Sequence, residues 1–199
     1  MNVFVLNTGR CGSTTFVKAC EHITNFTASH ESRSSVVGPG RLDYPDDHIE
    51  VDNRLSWFLG RLDELYGDTA IYVHLRRNER DTVNSFASRI EYGIMNAYLR
   101  GIYSRDIEMT EPHEIALDYC RTVDANIRLF LRDKSKVMTF ELEKAEDNFC
   151  RFWELIGAEG DIEAAKAEFN VSYNSSANPF RSHQSLLDRL VKRLKRSGR

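Results

Sequence analysis

The chain has 199 residues, of which 41% are hydrophobic and 29% charged, an ordinary balance for a protein with one hydrophobic core. Its formal net charge of −3 provides no overall basic field, so we expect no nucleic-acid partner. No apolar run approaches membrane-spanning length, and no charged and apolar leader precedes the first predicted strand. We therefore expect a cytoplasmic protein without an integral membrane segment.

The four cysteines form neither a CxxC pair nor a Cys/His cluster with the spacing of metal ligands. We expect free thiols in a reducing compartment, and no metal site. Cys11 lies in a glycine loop next to a predicted helix, a position that can activate a thiol. No histidine lies close to it in sequence to act as its base, so the favoured interpretation is a small loop residue.

The first twenty residues predict a buried strand, a glycine loop and a helix. The strand is Val3-Phe4-Val5-Leu6, and a helix is predicted from Ser13 to His22. The loop between them continues into the helix as Asn7-Thr8-Gly9-Arg10-Cys11-Gly12-Ser13-Thr14-Thr15. Glycines allow a sharp turn and close approach of a ligand. Loop amides and the free N–H groups of the first helical turn then favour an anion, and Arg10 adds a planar cationic donor.

This loop differs from the loop that binds nucleoside triphosphates. That motif requires Gly-Lys-Ser/Thr, with the lysine reaching the terminal phosphates. Here Gly12 is followed by Ser13, and the cation stands earlier, at Arg10. The alternative interpretation is that the glycines serve only the geometry of a strand-to-helix turn.

The rest of the chain alternates strands with helices. Further strands are predicted at 25–29, 70–75 and 136–140. Helices are predicted at 53–66, from 79 towards 92, at 94–103, from Pro112 to Leu131, around 149–156, and as a basic amphipathic C-terminal helix at 184–199. The polar stretch 32–52 is rich in turn-forming residues and predicts a long loop.

This alternation predicts one α/β domain over residues 1–199, with a mostly parallel sheet covered by helices on both faces. In such sheets ligands bind beyond the carboxyl ends of the strands. The glycine loop, His30-Glu31, Arg76-Arg77 and Glu141 all follow predicted strands. A parallel sheet would bring them to one edge.

A second anion site is predicted after the strand at 70–75. Arg77 follows this strand, and Ser85 lies eight residues later in the next helix. An arginine and a serine so placed can hold one phosphate from two sides, which with the glycine loop predicts a ligand with two anionic groups. The alternative is a solvated charged face made by Arg76, Arg77, Arg80, Glu79 and Asp81.

Together, the two segments resemble the sulfotransferase family that uses 3′-phosphoadenosine 5′-phosphosulfate (PAPS). Residues 5–15 look like its 5′-phosphosulfate loop, in the variant with arginine instead of lysine that resembles bacterial and carbohydrate sulfotransferases. Residues 75–85 look like its 3′-phosphate segment, usually Arg-Asn-Pro-Arg-Asp…Ser, with Glu79 in place of proline. The order of the segments and the spacing from Arg77 to Ser85 agree with the family.

The resemblance implies a parallel sheet with flanking helices and a P-loop-like phosphosulfate loop. The donor would be PAPS and the product adenosine 3′,5′-bisphosphate (PAP), with no metal required. Arg77 and Ser85 would hold the 3′-phosphate. The residues implied for the phosphosulfate are Thr8, Gly9, Arg10, Cys11, Gly12, Ser13, Thr14 and Thr15.

Two departures from the family concern the cofactor and the acceptor. The C-terminal Arg-Lys-Gly loop that closes over the cofactor has no counterpart, and Arg181 is the nearest substitute. The chain is also short for the family. The acceptor pocket, for a small molecule or a carbohydrate, is then expected to be small, open, or completed by the second subunit of a homodimer.

Sulfuryl transfer requires charge stabilisation and a base for the acceptor. We assign the first task to Arg10 and the loop amides, and the second to Glu31, with His30 as the alternative. Both candidate bases follow the second predicted strand. Three histidines are weaker candidates for the base: His74 is expected in the core, and His48 and His183 in loops. Glu141 is expected as a cap or salt-bridge partner, and Trp57 as a core residue and not an adenine platform.

Two other functions stay open. A small-molecule kinase of the same broad fold would need a loop lysine and a magnesium-binding carboxylate at a strand end, where the chain has Arg10 and Arg76-Arg77. A non-catalytic nucleotide-binding or interaction module could use the basic C-terminal helix. The sequence does not specify the acceptor. Four tyrosines, Tyr44, Tyr92, Tyr98 and Tyr103, could stack on a sugar or phenol or could equally be ordinary half-buried residues.

Overall fold

Every strand pair in the central sheet is parallel. The computed structural model describes residues 1–104 and 111–171. Its five strands are β1 Val3–Leu6, β2 Thr27–His30, β3 His48–Val51, β4 Ile71–Arg76 and β5 Val137–Glu141, in the order β2-β3-β1-β4-β5. The predicted α/β fold with a mostly parallel sheet is therefore confirmed for these residues.

Strand β1 lies in the middle of the sheet because all four of its residues are apolar and fully buried. It pairs with β3 on one side and β4 on the other. Successive side chains of a strand point to opposite faces. Val3 and Val5 accordingly contribute to one hydrophobic cluster, and Phe4 and Leu6 to the other.

Seven α-helices surround the sheet in the described part of the chain. They are α1 Ser13–Cys20, α2 Leu59–Tyr66, α3 Glu79–Ala87, α4 Gly93–Ala97, α5 Pro112–Leu131, α6 Ala145–Ile156 and α7 Ile162–Ala167. Short 3-10 turns cover Pro39–Leu42, Asn53–Trp57, Leu142–Lys144 and Glu168–Asn170, and Tyr98–Ile102 is a π-helical turn. The long helix predicted from Pro112 to Leu131 is confirmed.

The two faces of the sheet carry separate cores. On one face, Phe16 of α1 packs edge-on against Phe140 of β5 and Phe152 of α6. On the other, Phe4 and Tyr72 of the sheet join the apolar residues of α2, α3 and α5. Both cores end at the loop after β1, since Cys11 belongs to the first and Phe86 of the second lies beside Gly9.

The prediction of a long loop over residues 32–52 is wrong, because this stretch contains the 3-10 turn Pro39–Leu42 and the strand β3. Three polar residues, His48 and Glu50 of the strand and Asp52 just after it, alternate with apolar residues and are all buried. They are satisfied by side-chain partners: Glu50, for instance, accepts hydrogen bonds from the Ser32 backbone and hydroxyl at 2.8 and 2.6 Å. A buried strand with a polar face lacks the hydrophobic pattern that identifies strands.

The helix predicted at 53–66 is divided into the 3-10 turn Asn53–Trp57 and α2. The turn begins at Asp52, whose side chain accepts a hydrogen bond from the Arg54 backbone N–H at 2.8 Å. Trp57 is 41% exposed, so its assignment to the core is wrong.

Several expectations fall on residues that the structure does not describe. Arg181, His183 and the C-terminal helix at 184–199 lie outside the described residues. Within residues 1–104 and 111–171, no helix has the length and apolar character needed to cross a membrane.

Candidate functional site

The carboxyl ends of the parallel strands bring the predicted site residues to one edge of the sheet. The glycine loop follows β1, His30 ends β2 and Glu31 comes next, and Arg76 ends β4. Asp52, at the end of β3 beside β1, also lies there. The sequence did not single out Asp52, because β3 was not predicted.

The loop after β1 is shaped by left-handed backbone and one buried side chain. Gly9, Arg10 and Gly12 have φ angles of 88°, 59° and 87°. Asn7 is fully buried, and its Oδ1 accepts the Gly9 N–H at 2.8 Å while its Nδ2 donates to the Val5 carbonyl at 3.0 Å. Asn7 thus fixes the turn from strand to loop.

Glycine is required in this loop by space as well as by φ. A Cβ atom at Gly12 would lie 2.7 Å from Leu142 Cδ1, and one at Gly9 would lie 3.0 Å from Asn53 Nδ2. The hydroxyl of Tyr119, in α5, donates a hydrogen bond to the Thr8 carbonyl at 2.9 Å. The loop is therefore a packed, preformed structure.

Helix α1 presents an uncapped N-terminus at the end of this loop. Gly12 is the N-cap residue in left-handed conformation, and the first turn of the helix has no acidic residue. Ser13 and Thr14 are partly exposed there, and Thr15 is buried. The positive end of the helix dipole and the first-turn N–H groups make this a favourable position for an anion.

Arg10 joins this loop to α3. Its Nε donates a hydrogen bond to Ser85 Oγ at 2.8 Å. Burial lowers the pKa of Arg10, and the positive charges of Arg89 and Arg77 lower it further. Arg77 has a carboxylate partner, Asp81, at 3.5 Å. The structure thus places Ser85 in contact with Arg10, and the charge of Arg77 acts on the same guanidinium.

Arg89 is a residue that the sequence analysis missed. It is exposed, follows the end of α3, and lies four residues after Ser85. The positive charge of Arg89 lowers the pKa of Arg10, as that of Arg77 also does. The sequence contained one signal for it, since residues four apart on a helix share a face, and Ser85 was already a candidate.

The two candidate bases have different neighbours. His30 Nε2 lies 3.0 Å from Ser13 Oγ, at the N-terminus of α1. Glu31 adopts a φ of 51° and its carboxylate forms an ion pair with Arg54, in the 3-10 turn after β3. His30 therefore touches the glycine loop segment directly, whereas Glu31 is held by a cation beside it.

Cys11 has the environment of a structural residue. It is 1% exposed, and burial raises the pKa of its thiol to about 12. Its Sγ lies 3.5 Å from Asn7 Oδ1. A thiol that stays protonated at neutral pH is a poor nucleophile.

Asp52 is occupied by protein partners. Its Oδ2 lies 2.5 Å from Arg41 Nη2, and both side chains are almost completely buried. Its Oδ1 accepts the Arg54 N–H. Burial raises the pKa of Asp52, and the hydrogen bonds from Arg54 and Arg41 oppose that rise.

The remaining residues considered from sequence have structural partners. His74 is buried, as predicted, and its Nε2 lies 3.1 Å from Asp124, which also pairs with Arg76. Glu141 forms the predicted salt bridge, with Lys144 at 2.6 Å.

No three His, Cys, Asp or Glu side chains of residues 1–104 and 111–171 come together as a group that could hold a metal ion. In comparisons with known proteins, no protein-family model, no curated protein and no solved structure matches the chain.

Proposed function

We propose that the protein is a sulfotransferase, which transfers a sulfonate group from PAPS to a hydroxyl or amine of a small-molecule or carbohydrate acceptor. The observation that carries this proposal is the contact of Arg10 with Ser85, within the combined field of Arg77 and Arg89. An anionic ligand placed here would be attracted to all three guanidinium groups, of which Arg77 also has Asp81 as a carboxylate partner at 3.5 Å. The Arg10–Ser85 contact joins the loop after β1 to α3. If each of these segments binds one anionic group, a ligand with two anionic groups would fit across them.

The phosphosulfate would lie on the loop after β1, in a P-loop-like manner. Residues Thr8 to Thr15 provide backbone N–H groups and hydroxyls there, and Arg10 provides the charge. The close fit of Leu142 against the Cα of Gly12 supports a loop whose conformation is set before the ligand arrives, which is what electrostatic stabilisation requires. The 3′-phosphate would lie between Ser85 and the guanidinium groups of Arg77 and Arg89.

The donor supplies a sulfonate group attached to a phosphate leaving group. The acceptor oxygen or nitrogen forms the new bond to sulfur as the sulfur–oxygen bond to the phosphate breaks, and PAP leaves. Arg10 and the N-terminus of α1 stabilise the negative charge that develops on the departing phosphate. The acceptor proton passes to Glu31, with His30 as the competing base, because both lie at the same sheet edge as the loop.

Two alternatives stand against this proposal. A kinase would need a carboxylate at a strand end to hold magnesium, and the one beside β1 is Asp52. Its ion pair with buried Arg41 would have to break, leaving a buried charge, which is costly. An interaction module would depend on the basic segment 184–199, which lies outside the described residues.

Calorimetric titration with PAP in the absence of magnesium, beside ATP with magnesium, distinguishes these functions. We expect PAP to bind, and Arg77→Ala to weaken it at least about tenfold, since a hydrogen bond to a charged group contributes about 1.5–3 kcal/mol. Arg132→Ala is the matched control. This exposed arginine follows α5 and precedes β5, at the opposite edge of the sheet.

Each outcome decides between the functions. Binding of ATP alone, dependent on magnesium, would overturn the sulfotransferase proposal and support a kinase function. Binding of neither ligand would favour the interaction module. If PAP binds, Arg10→Ala is expected to abolish transfer of labelled sulfonate to any acceptor that the wild-type protein modifies.

A further inference from the structure

Three aromatic side chains and one carboxylate form a cluster beside the candidate site. The Trp57 ring lies 6.4 Å from that of Tyr98, and the Tyr98 ring lies 5.3 Å from that of Tyr103. Both tyrosine hydroxyls donate to Asp118 Oδ2 at 2.7 Å. We refer to Trp57, Tyr98, Tyr103 and Asp118 as the aromatic platform.

The central ring of the platform is buried, and the two outer rings are exposed to solvent. Tyr98 is 2% exposed, whereas Trp57 and Tyr103 are 41% and 47% exposed. Asp118 is exposed as well. Large aromatic rings held in place at a surface, next to polar groups, are typical of ligand-binding and interaction sites.

One route of contact connects the platform to the glycine loop, and a second connects it to Glu31. In the first, the Tyr98 ring packs against that of Tyr119 at 5.2 Å, and the Tyr119 hydroxyl donates to the Thr8 carbonyl. In the second, Trp57 ends the same 3-10 turn that carries Arg54, the partner of Glu31. Tyr98 and Trp57 thus belong to the same packed elements that hold the glycine loop and the ion-pair partner of Glu31.

We propose that the aromatic platform binds the acceptor, and that the acceptor is a saccharide. This inference rests on the proposed function and narrows its acceptor to one chemical class. A sugar ring places its C–H face on an exposed aromatic ring while its hydroxyls remain hydrated or donate to the Asp118 carboxylate. A small phenol gains most of its affinity from enclosure in an apolar pocket, which rings exposed by 41% and 47% do not provide.

The chain offers a direct probe, because it contains only two tryptophans, Trp57 and Trp153. In a Trp153→Phe variant, Trp57 is the sole source of tryptophan emission. Titration with two neutral trisaccharides, cellotriose and tri-N-acetylchitotriose, is expected to change that emission for at least one of them, in the absence of any donor. Calorimetry of the same sugars and of p-cresol gives affinities for the full-length protein and its variants.

We expect Trp57→Ala and Tyr103→Ala each to weaken saccharide binding about tenfold, since an aromatic contact is worth up to about 1.5 kcal/mol beyond the area it buries. PAP affinity should stay unchanged in both. Leu65→Ala is the control, because Leu65 is an exposed apolar residue near the end of α2 that precedes β4, at the opposite edge of the sheet.

The outcomes separate this inference from the proposed function. PAP binding without any saccharide response, tighter binding of p-cresol than of both sugars, or full saccharide affinity in the two platform variants would each overturn the platform and leave the sulfotransferase proposal standing. Saccharide binding through Trp57 without PAP binding would support the platform and overturn the sulfotransferase proposal.

Discussion

The Arg10 guanidinium and the Ser85 hydroxyl lie 2.8 Å apart although 75 positions separate them in the chain. This hydrogen bond joins the loop after β1 to α3, and so unites the two segments that each predicted an anion site. The same guanidinium has its pKa lowered by burial and by the charges of Arg89 and Arg77. Three arginines, Arg10, Arg77 and Arg89, therefore act on one another at this place, and the hydrogen bond to Ser85 positions the guanidinium of Arg10.

The first prediction concerns Arg89. Arg89→Ala is expected to weaken PAP binding about three- to tenfold, in proportion to one solvent-exposed charge near a phosphate. It should not lower the melting temperature, because it removes repulsion from Arg10 and Arg77. Calorimetry and thermal unfolding measure the two effects. A lower melting temperature with unchanged PAP affinity would show that Arg89 stabilises the fold instead.

The second prediction separates the two candidate bases. Glu31→Gln removes the proton acceptor while it keeps the shape of the side chain. We expect kcat to fall about a hundredfold or more with PAP affinity retained, while His30→Asn has a smaller effect on kcat. The measurement is turnover of labelled PAPS beside calorimetry with PAP. The reverse order of the two variants would assign the base to His30, which already touches Ser13.

Sequence alone was sufficient for the parts of the fold where local pattern and burial agree. The apolar run Val3–Leu6 followed by two glycines predicted β1 and its loop, and the helical stripe after Pro112 predicted α5. Strands that alternate with helices then predicted a parallel sheet and its ligand edge. The same edge predicted that Arg10 and Arg77 lie near each other, and the charge of Arg77 acts on Arg10 in the structure.

Prediction failed where tertiary partners replace a local pattern. The strand β3 carries His48 and Glu50, and Asp52 follows it. These buried polar side chains are paired by Thr27, Ser32 and Arg41 respectively. Those partners cannot be read from the strand itself. Arg89 was missed for a related reason. Its electrostatic effect on Arg10 arises because the fold brings the loop after β1 to the end of α3.

The third prediction tests whether the loop needs glycine at position 12. Gly12→Ala imposes both an unfavourable φ of 87° and a Cβ atom 2.7 Å from Leu142 Cδ1. Gly157→Ala is a matched control, because Gly157, just after α6, has the same left-handed conformation (φ 65°, ψ 44°, beside 87° and 17° at Gly12) and no atom within 4 Å of its Cβ position. Gly157→Ala should therefore cost only the backbone strain, about 1 kcal/mol, whereas Gly12→Ala should cost more and also impair PAP binding.

A second substitution separates the steric clash with Leu142 from the backbone strain at position 12. Leu142→Ala removes the clashing side chain, so Gly12→Ala/Leu142→Ala should recover part of the PAP affinity that Gly12→Ala loses. Urea unfolding and calorimetry of the four variants complete the comparison. Equal losses of stability for Gly12→Ala and Gly157→Ala would mean that Leu142 moves aside easily and that close packing does not set the loop.

The fourth prediction concerns Asp124 of α5, whose carboxylate pairs with His74 and Arg76 of β4. Burial raises the pKa of its carboxyl, but the hydrogen bond from His74 and the charges of His74, Arg76 and Arg128 outweigh burial and lower the pKa below its ordinary value. A carboxyl whose pKa is lower in the folded than in the unfolded state stabilises the fold above the unfolded pKa. That contribution is lost as the pH falls through the folded pKa.

Asp124→Asn should accordingly reduce the free energy of unfolding by about 1–3 kcal/mol at pH 7, and the difference from wild type should shrink as the pH falls from about 5 towards 2. Urea unfolding across this pH range measures it. Asp133→Asn, at an exposed aspartate just after α5, should change stability little at any pH. A difference between Asp124→Asn and wild type that stays constant from pH 7 to pH 3 would mean that the shape of the side chain, and not its charge, holds β4 against α5.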